Sequence, residues 1–255
     1  MIASPLDILY QDDFIVAINK PSGLLVHKSP IDKRETRFAL QEVRNQIGKH
    51  VYPVHRLDKP TSGVLLFALS PEIARQISLQ FENKTIRKTY LAVVRGHCKG
   101  EGLIDHAFKD DPDPLAGIGE DRPLQEALTH YRSLASIELP ISVDKYPSSR
   151  YSLVECSPIT GRKHQIRRHL KHINHPIIGD AKHGKSVHNH FFAEHFNIKR
   201  LLLAATALEF QHPTLLQTLS IHAPLAQNFY QLLKKFGWDL ILPDAWHLRD
   251  APSCE

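Results

Sequence analysis

Apolar residues in this chain fall into short runs separated by turn-forming residues, and the spacing inside each run decides between strand and helix. Ile8-Leu9-Tyr10 and Phe14-Ile15-Val16-Ala17-Ile18 flank Gln11-Asp12-Asp13, which predicts an opening hairpin. Asn19-Lys20-Pro21-Ser22-Gly23 then breaks the pattern. From Thr36 to Ile47, Phe38, Leu40, Val43 and Ile47 recur near helical spacing, with Gly48 a suitable helix end. Val64 to Leu69 is continuously apolar and predicts a buried strand. Ser70-Pro71-Glu72 reads as a helix start: a capping hydroxyl, a proline at the first helical position and an acid near the positive pole. Ile73, Ile77 and Phe81 mark the buried face of that helix.

Further on, Tyr90 to Arg95, Thr129 to Ile137 and Tyr151 to Cys156 are rich in strand formers, and glycines at 96, 100 and 102 punctuate the stretch between the first two. Asp110 to Glu126 carries prolines, glycines and acids and predicts a loop. A helix is expected from Thr160-Gly161, with Ile166, Leu170 and Ile173 inward. Leu201 to Phe210 and Leu219 to Ile221 predict late strands, and Pro224 to Phe236 a closing helix ended by Gly237. Strands outnumber helices and short links dominate, so the expected class is α+β with a mixed, mainly antiparallel sheet flanked by helices.

Composition narrows the function. At 255 residues and 42% hydrophobic, the chain supports a full core. Lys plus Arg exceed Asp plus Glu, 32 against 27, and the net charge of +5 suits a polyanionic partner. Three scattered cysteines make neither a disulfide framework nor a zinc knuckle, and no apolar run is long enough for a membrane span, so a cytoplasmic protein is expected.

Two segments carry candidate chemistry. In His55-Arg56-Leu57-Asp58-Lys59-Pro60-Thr61-Ser62-Gly63 a carboxylate sits beside an arginine, just before a buried strand; an acid at that place is a candidate nucleophile or base, although a plain surface turn has the same spacing. In the expected helix after Gly161, Arg162, Lys163, Arg167, Arg168 and Lys171 lie in a stretch from Cys156 to Gly179 that contains no acid. A solvated helix face usually alternates its charges, so phosphate is the expected occupant. His183, His188, His190 and His195 invite a metal, but H-E-x-x-H is absent and the expectation is no metal. Gly-x-Ser-x-Gly, a Walker loop and a dinucleotide fingerprint are absent too, which argues against Ser-His-Asp hydrolysis and a nucleotide cofactor.

These residues resemble the RluA-type pseudouridine synthases. The resemblance rests on Asn19-Lys20-Pro21-Ser22-Gly23, His55-Arg56-Leu57-Asp58 with Thr61-Ser62-Gly63, Lys88 to Gly96, and Thr160 to His169 with His175 to Asp180, in the family's order. It runs from about Ile8 to Trp238 and implies the pseudouridine synthase fold with a central cleft. One two-lobed catalytic domain over 1–238, a tail over 239–255 and no added RNA-binding domain are expected.

Within the family, Leu25 to Ser29, Val43 to Gly48 and Tyr146 to Tyr151 imply a tRNA substrate modified at uridine 65, with ribosomal RNA as the alternative and a non-catalytic RNA-binding module as the rival of another class. The resemblance assigns Asp58 to initiate cleavage of the glycosidic bond, as nucleophile or as base at the ribose; Arg167 to hold its charge; and Tyr90 to stack on the uracil where the proton leaves carbon 5. Arg56 would fill the space left by the flipped nucleotide, or else pair with Asp58. Lys20, Arg162, Lys163, Arg168 and Lys171 are expected to contact phosphates. Isomerisation consumes nothing, so no cofactor is expected, and the default is a monomer without an obligate protein partner.

Overall fold

The structure, a computed structural model, describes residues 5–28, 35–109 and 123–248. The opening hairpin pairs β1 (Asp7–Gln11) with β2 (Ile15–Lys20), and Asp12 closes its turn by accepting from the N–H groups of Phe14 and Ile15. Helix α1 (Ala39–Ile47) stops at Gly48, which takes a φ of 67° and returns its N–H to the Arg44 carbonyl. The short β3 (Tyr52–Pro53) leads through the Asp58 loop to β4 (Ser62–Ala68) and then α2 (Pro71–Glu82), where Ser70 Oγ caps the Ile73 N–H. Next come β5 (Arg87–Arg95), β6 (Glu101–Asp105), β7 (Leu128–Leu139), β8 (Ser149–Pro158) and α3 (Gln165–His172). The described elements end with α4 (Ser186–Phe196), β9 (Leu203–Gln211), β10 (Thr218–His222), α5 (Gln227–Lys235) and two short 3₁₀ turns.

One ten-stranded sheet runs β1-β2-β4-β9-β5-β8-β7-β6, with β10 beside β9 and β3 beside β4. Its described neighbours are antiparallel except β4 and β9, which run parallel through Ser62–Ala204 and Gly63–Ala205. Both faces of the middle strands are covered, so those strands read as unbroken apolar runs rather than alternating ones. On β2, Val16 and Ile18 pack with α1 residues while Ile15 and Ala17 pack with α2 residues. On β5, Ala92 and Val94 join Ile166 and Leu170 of α3, and Leu91 and Val93 join the aromatic residues of α4 and α5.

Four features differ from the pattern-based reading. The helix expected from Gly161 begins at Gln165, because His164 adopts a left-handed φ of 56° and the preceding loop has its own polar anchor. Gln165 Oε1 accepts from Thr160 Oγ1 and the Arg162 N–H, while its Nε2 donates to the Leu128 carbonyl and Thr129 Oγ1. Arg162 and Lys163 therefore lie on a loop. Second, 186–196, read only as a histidine cluster, is a helix burying His188, Phe191 and Phe192. Third, the glycine-punctuated stretch after β5 contains strand β6, whose outer position in the sheet needs little apolar pattern. Fourth, the packed core extends past Trp238: Leu242 and Trp246 are buried with α5. Ser29, residues 110–122 of the expected loop and 249–255 of the expected tail lie outside the described residues.

Candidate active site

The loop before β4 is shaped by what it buries. Leu57 packs into the core beside α1, so Arg56 and Asp58 on either side of it turn toward a cavity of about 600 Å³. His55 points inward: its Nε2 accepts the Leu66 N–H at 3.0 Å and its ring stacks on Phe81. Burial, aided by the Lys88 charge, pushes His55 down to about 3, so it is a neutral structural group. The Asp58 turn closes through the Thr61 N–H to the Asp58 carbonyl at 3.0 Å. Behind the turn, Gly63 takes a φ of +111°, and a Cβ there would stand 2.0 Å from the Ala205 carbonyl oxygen. Only glycine lets β4 and β9 meet at that point.

The Lys20–Gly23 segment braces the same loop. The Gly23 N–H and Lys20 Nζ both donate to the Lys59 carbonyl, at 2.8 and 3.1 Å, and Ser22 Oγ donates to the Pro60 carbonyl at 2.7 Å. The expectation that Lys20 contacts phosphate is thereby corrected. Its side chain is fully buried, and Nζ also donates to the Pro21 and Leu24 carbonyls. Burial and the nearby Arg200 charge bring it down to about 7.

Arg167 reaches Asp58 from α3, with Nη1 donating to Oδ2 at 3.1 Å. Its other edge is clamped by Asp180, Nε to Oδ2 at 2.7 Å and Nη2 to Oδ1 at 2.8 Å. This bidentate fit fixes the guanidinium plane and leaves Nη1 for Asp58. Asp180 also accepts the N–H groups of Lys182 and His183. Burial pushes the Asp180 carboxyl up, but these bonds outweigh it and hold the group below the usual carboxylate range. Motif reading passed over Asp180 as a site residue; its signal was being the first acid after the acid-free stretch that ends at Gly179. Gly179 is fixed beside it, since a Cβ there would lie 1.8 Å from the Arg200 carbonyl oxygen.

Tyr90 and Lys88 both line the cavity whereas Thr89 does not, so alternate residues of β5 face it. Burial and the Asp58 charge raise the Tyr90 phenol far above its ordinary value, so it stays un-ionised. Lys88 Nζ donates to the Thr160 carbonyl at 3.2 Å, and burial lowers it to about 8. His164 stands 3.9 Å from Asp58 Oδ2 and meets His183 at 3.1 Å. Arg56 is exposed at the cavity, and among the described residues the guanidinium paired with Asp58 is that of Arg167; the reading of Arg56 as partner to Asp58 does not hold.

Arg162, Lys163 and Lys171 are exposed, the first two lining the cavity. Arg168 lies over Phe108, 3.7 Å from its ring centre, and donates to the Lys109 carbonyl. Among the described residues, no three His, Cys, Asp or Glu side chains stand together as a metal site. His188 instead bonds Tyr151 and accepts from Arg95. No helix among the described residues is long and apolar enough to cross a membrane.

Comparison with known proteins follows the same residues. The family model described as RNA pseudouridylate synthase matches residues 14–172. The tRNA pseudouridine synthase C of Pasteurella multocida (strain Pm70) is 52% identical over 237 residues, 92% of this chain and 98% of that protein. The protein of the same name from Vibrio cholerae serotype O1 is 50% identical over 235 residues, covering 91% and 96%. Among solved structures, human RNA Pseudouridylate Synthase Domain Containing 4 superposes with a TM-score of 0.65 at 27% identity, covering 91% of this chain and 93% of that one. The human domain-containing 1 protein gives 0.65 at 25%, covering 86% and 83%.

Proposed function

The chain belongs to the RNA pseudouridylate synthase family, and from that premise we propose that it isomerises uridine 65 of tRNA to pseudouridine, with Asp58 initiating the reaction. The observation that carries the chemistry is Asp58 held by a clamped Arg167 at 3.1 Å on the wall of the cavity that Tyr90 also lines. Isomerisation breaks the bond from ribose C1′ to uracil N1 and rejoins C1′ to C5, releasing the C5 proton and protonating N1. Asp58 acts at the ribose, either attacking C1′ or accepting a proton beside it. Arg167 orients one carboxylate oxygen and offsets the cost of holding that charge away from water.

The target base must leave its stack to enter the cavity, at a cost of a few kcal/mol. Arg56, exposed beside Asp58, is suited to occupy the vacated space and repay part of that cost. Tyr90 offers its ring face to the uracil, and as an un-ionised phenol it contributes stacking and a hydroxyl dipole rather than a phenolate base. Arg162 and Lys163 at the cavity rim and the exposed Lys171 of α3 would meet phosphates, joined by the half-buried Arg168, whose guanidinium lies over Phe108. The proposed working state is a monomer in the cytoplasm acting on tRNA, the substrate named for its relatives.

Asp58→Asn and Asp58→Ala test this reading. Each should abolish pseudouridine formation at position 65 in tRNA lacking the modification, while tRNA binding stays within a few-fold of the parent. Turnover retained in a purified variant would remove Asp58 from its role, and a missing pseudouridine elsewhere in tRNA or in ribosomal RNA from cells lacking the protein would reassign the target.

A further inference from the structure

Charge balance around Asp58 poses a problem for the reaction. Asp58 and Asp180 carry two negative charges, and the Arg167 guanidinium between them carries one positive charge. When the N1–C1′ bond breaks heterolytically, its electron pair leaves with the uracil, which becomes an anion with charge spread over N1, O2 and O4. Whether Asp58 bonds C1′ or takes a proton, it gives up its own charge, so the unit of negative charge moves from the carboxylate that Arg167 faces onto the uracil, inside a cavity where charges are poorly screened. A cation on another wall would meet that charge, because Arg167 is held on Asp58 and Asp180.

We propose that Lys88 is the catalytic cation that stabilises the departing uracil. It stands two residues before Tyr90 on the same face of β5, so a base stacked on Tyr90 lies within reach of a lysine arm. One ammonium proton is anchored on the Thr160 carbonyl at 3.2 Å, which aims the head group along the cavity wall, and two donors remain for a uracil carbonyl. Among the described residues no carboxylate is paired with Lys88, and burial is the cause that lowers its affinity for a proton. An isolated, mostly desolvated ammonium gains most when a negative charge appears beside it, and that happens in the transition state rather than in bound substrate.

The other cations near the cavity are used differently. Lys20 is spent on three carbonyls beneath the loop, Lys84 pairs with Glu126, and Arg162 and Lys163 are solvent-exposed. Lys88 remains protonated throughout: it donates a hydrogen bond, the uracil carries the electron pair until C5 joins C1′, then C5 loses its proton and N1 gains one.

The inference rests on uridine isomerisation as the reaction, and its test is separable from that of Asp58. Turnover of Lys88→Met and Lys88→Arg is followed by tritium release from tRNA labelled at uridine C5, alongside tRNA affinity and melting temperature. Lys88→Met should lower kcat about 10²-fold with KM for tRNA nearly unchanged, the effect typical of removing one donor from a developing anion. Lys88→Arg should recover most of that loss. The pH profile separates catalysis from scaffolding: parent activity should fall as pH rises through about 8, where the ammonium loses its proton, and Lys88→Arg should carry that limb to higher pH.

The comparison with Lys88→Arg isolates Lys88: Lys20, brought down to about 7, titrates below this limb and is unchanged by the substitution, while His55 is already down to about 3, His164 is lowered, Tyr90 is raised and Arg167 is held charged by its carboxylates. A Lys88→Met enzyme with kcat within threefold of the parent, a loss confined to KM, or an unmoved alkaline limb in Lys88→Arg would each overturn the proposal. If Asp58→Ala keeps turnover, the reaction itself has been misread.

Discussion

Asp180→Asn is the most informative perturbation of the site, because it changes one oxygen to an amide while leaving Asp58, Arg167 and the cavity shape in place. In the parent, Asp180 presents no exposed side-chain area and grips Arg167 at 2.7 and 2.8 Å. The asparagine amide would point a donor at one of the two guanidinium donors, so at least one bond is lost and a buried cation is left half-paired. Two unit charges about 4 Å apart gain about 4 kcal/mol at an effective dielectric near 20, and breaking a buried pair from one side costs about 3–5 kcal/mol. For a domain of this size that lowers Tm by about 6–20 °C. The functional cost comes through Arg167: freed from its clamp, the guanidinium can rotate toward Asp58 or away from it, and losing one positioned donor costs about 10²–10³ in kcat.

The assay is kcat on tRNA below the variant's own Tm, together with a melting scan across pH. Asp180 has a lowered folded pKa, so its contribution to stability is full above the unfolded value, about 3.9, and disappears as pH falls through the folded value. The parent should therefore lose part of its stability in acid that the variant never had. A folded Asp180→Asn enzyme with kcat within threefold of the parent would refute the positioning role of the clamp.

Three further outcomes follow from the geometry. Lys20→Met should lower kcat and Tm through the Asp58 loop without altering the slope of log tRNA affinity against log salt, whereas Lys163→Ala and Arg162→Ala should each flatten that slope by about 0.7–0.9; a flattened slope in Lys20→Met would return Lys20 to the RNA surface. Gly63→Ala should yield little folded protein, since its Cβ would sit 2.0 Å from the Ala205 carbonyl oxygen at a φ of +111°; a parent-like melting curve would contradict that packing. His55→Ala strands the buried Leu66 N–H and should cost about 1–3 kcal/mol by urea unfolding while leaving tRNA affinity intact, and an unchanged midpoint would show that water replaces the imidazole.

Much of this was legible in the chain because it depends on local spacing. The hairpin around Asp12, the Gly48 stop of α1 and the Ser70 cap of α2 each involve groups within a few residues of one another, and the structure keeps all three. The pairing of Asp58 with Arg167 followed from resemblance, although 109 positions separate them. What failed did so where distant groups compete with local pattern. The 160–164 stretch has helix-compatible spacing, but Gln165 ties it to Leu128 and Thr129 on β7, and those bonds outweigh an extra helical turn.

Sequence by itself determined the α+β class, the family, the acid at Asp58 and the density of cations after Gly161, because periodicity and ordered motifs survive without coordinates. Tertiary structure alone decided which cations are available to RNA. Lys20 and Lys163 are indistinguishable as letters, yet one is buried under three carbonyls and the other stands in solvent at the cavity rim. It also decided that Arg167 is shared between two carboxylates and that Lys88 faces the cavity beside Tyr90. The physical reason is that burial and charge pairing are set by what the fold brings alongside a residue, and neither is a property of the residue or its neighbours in the chain.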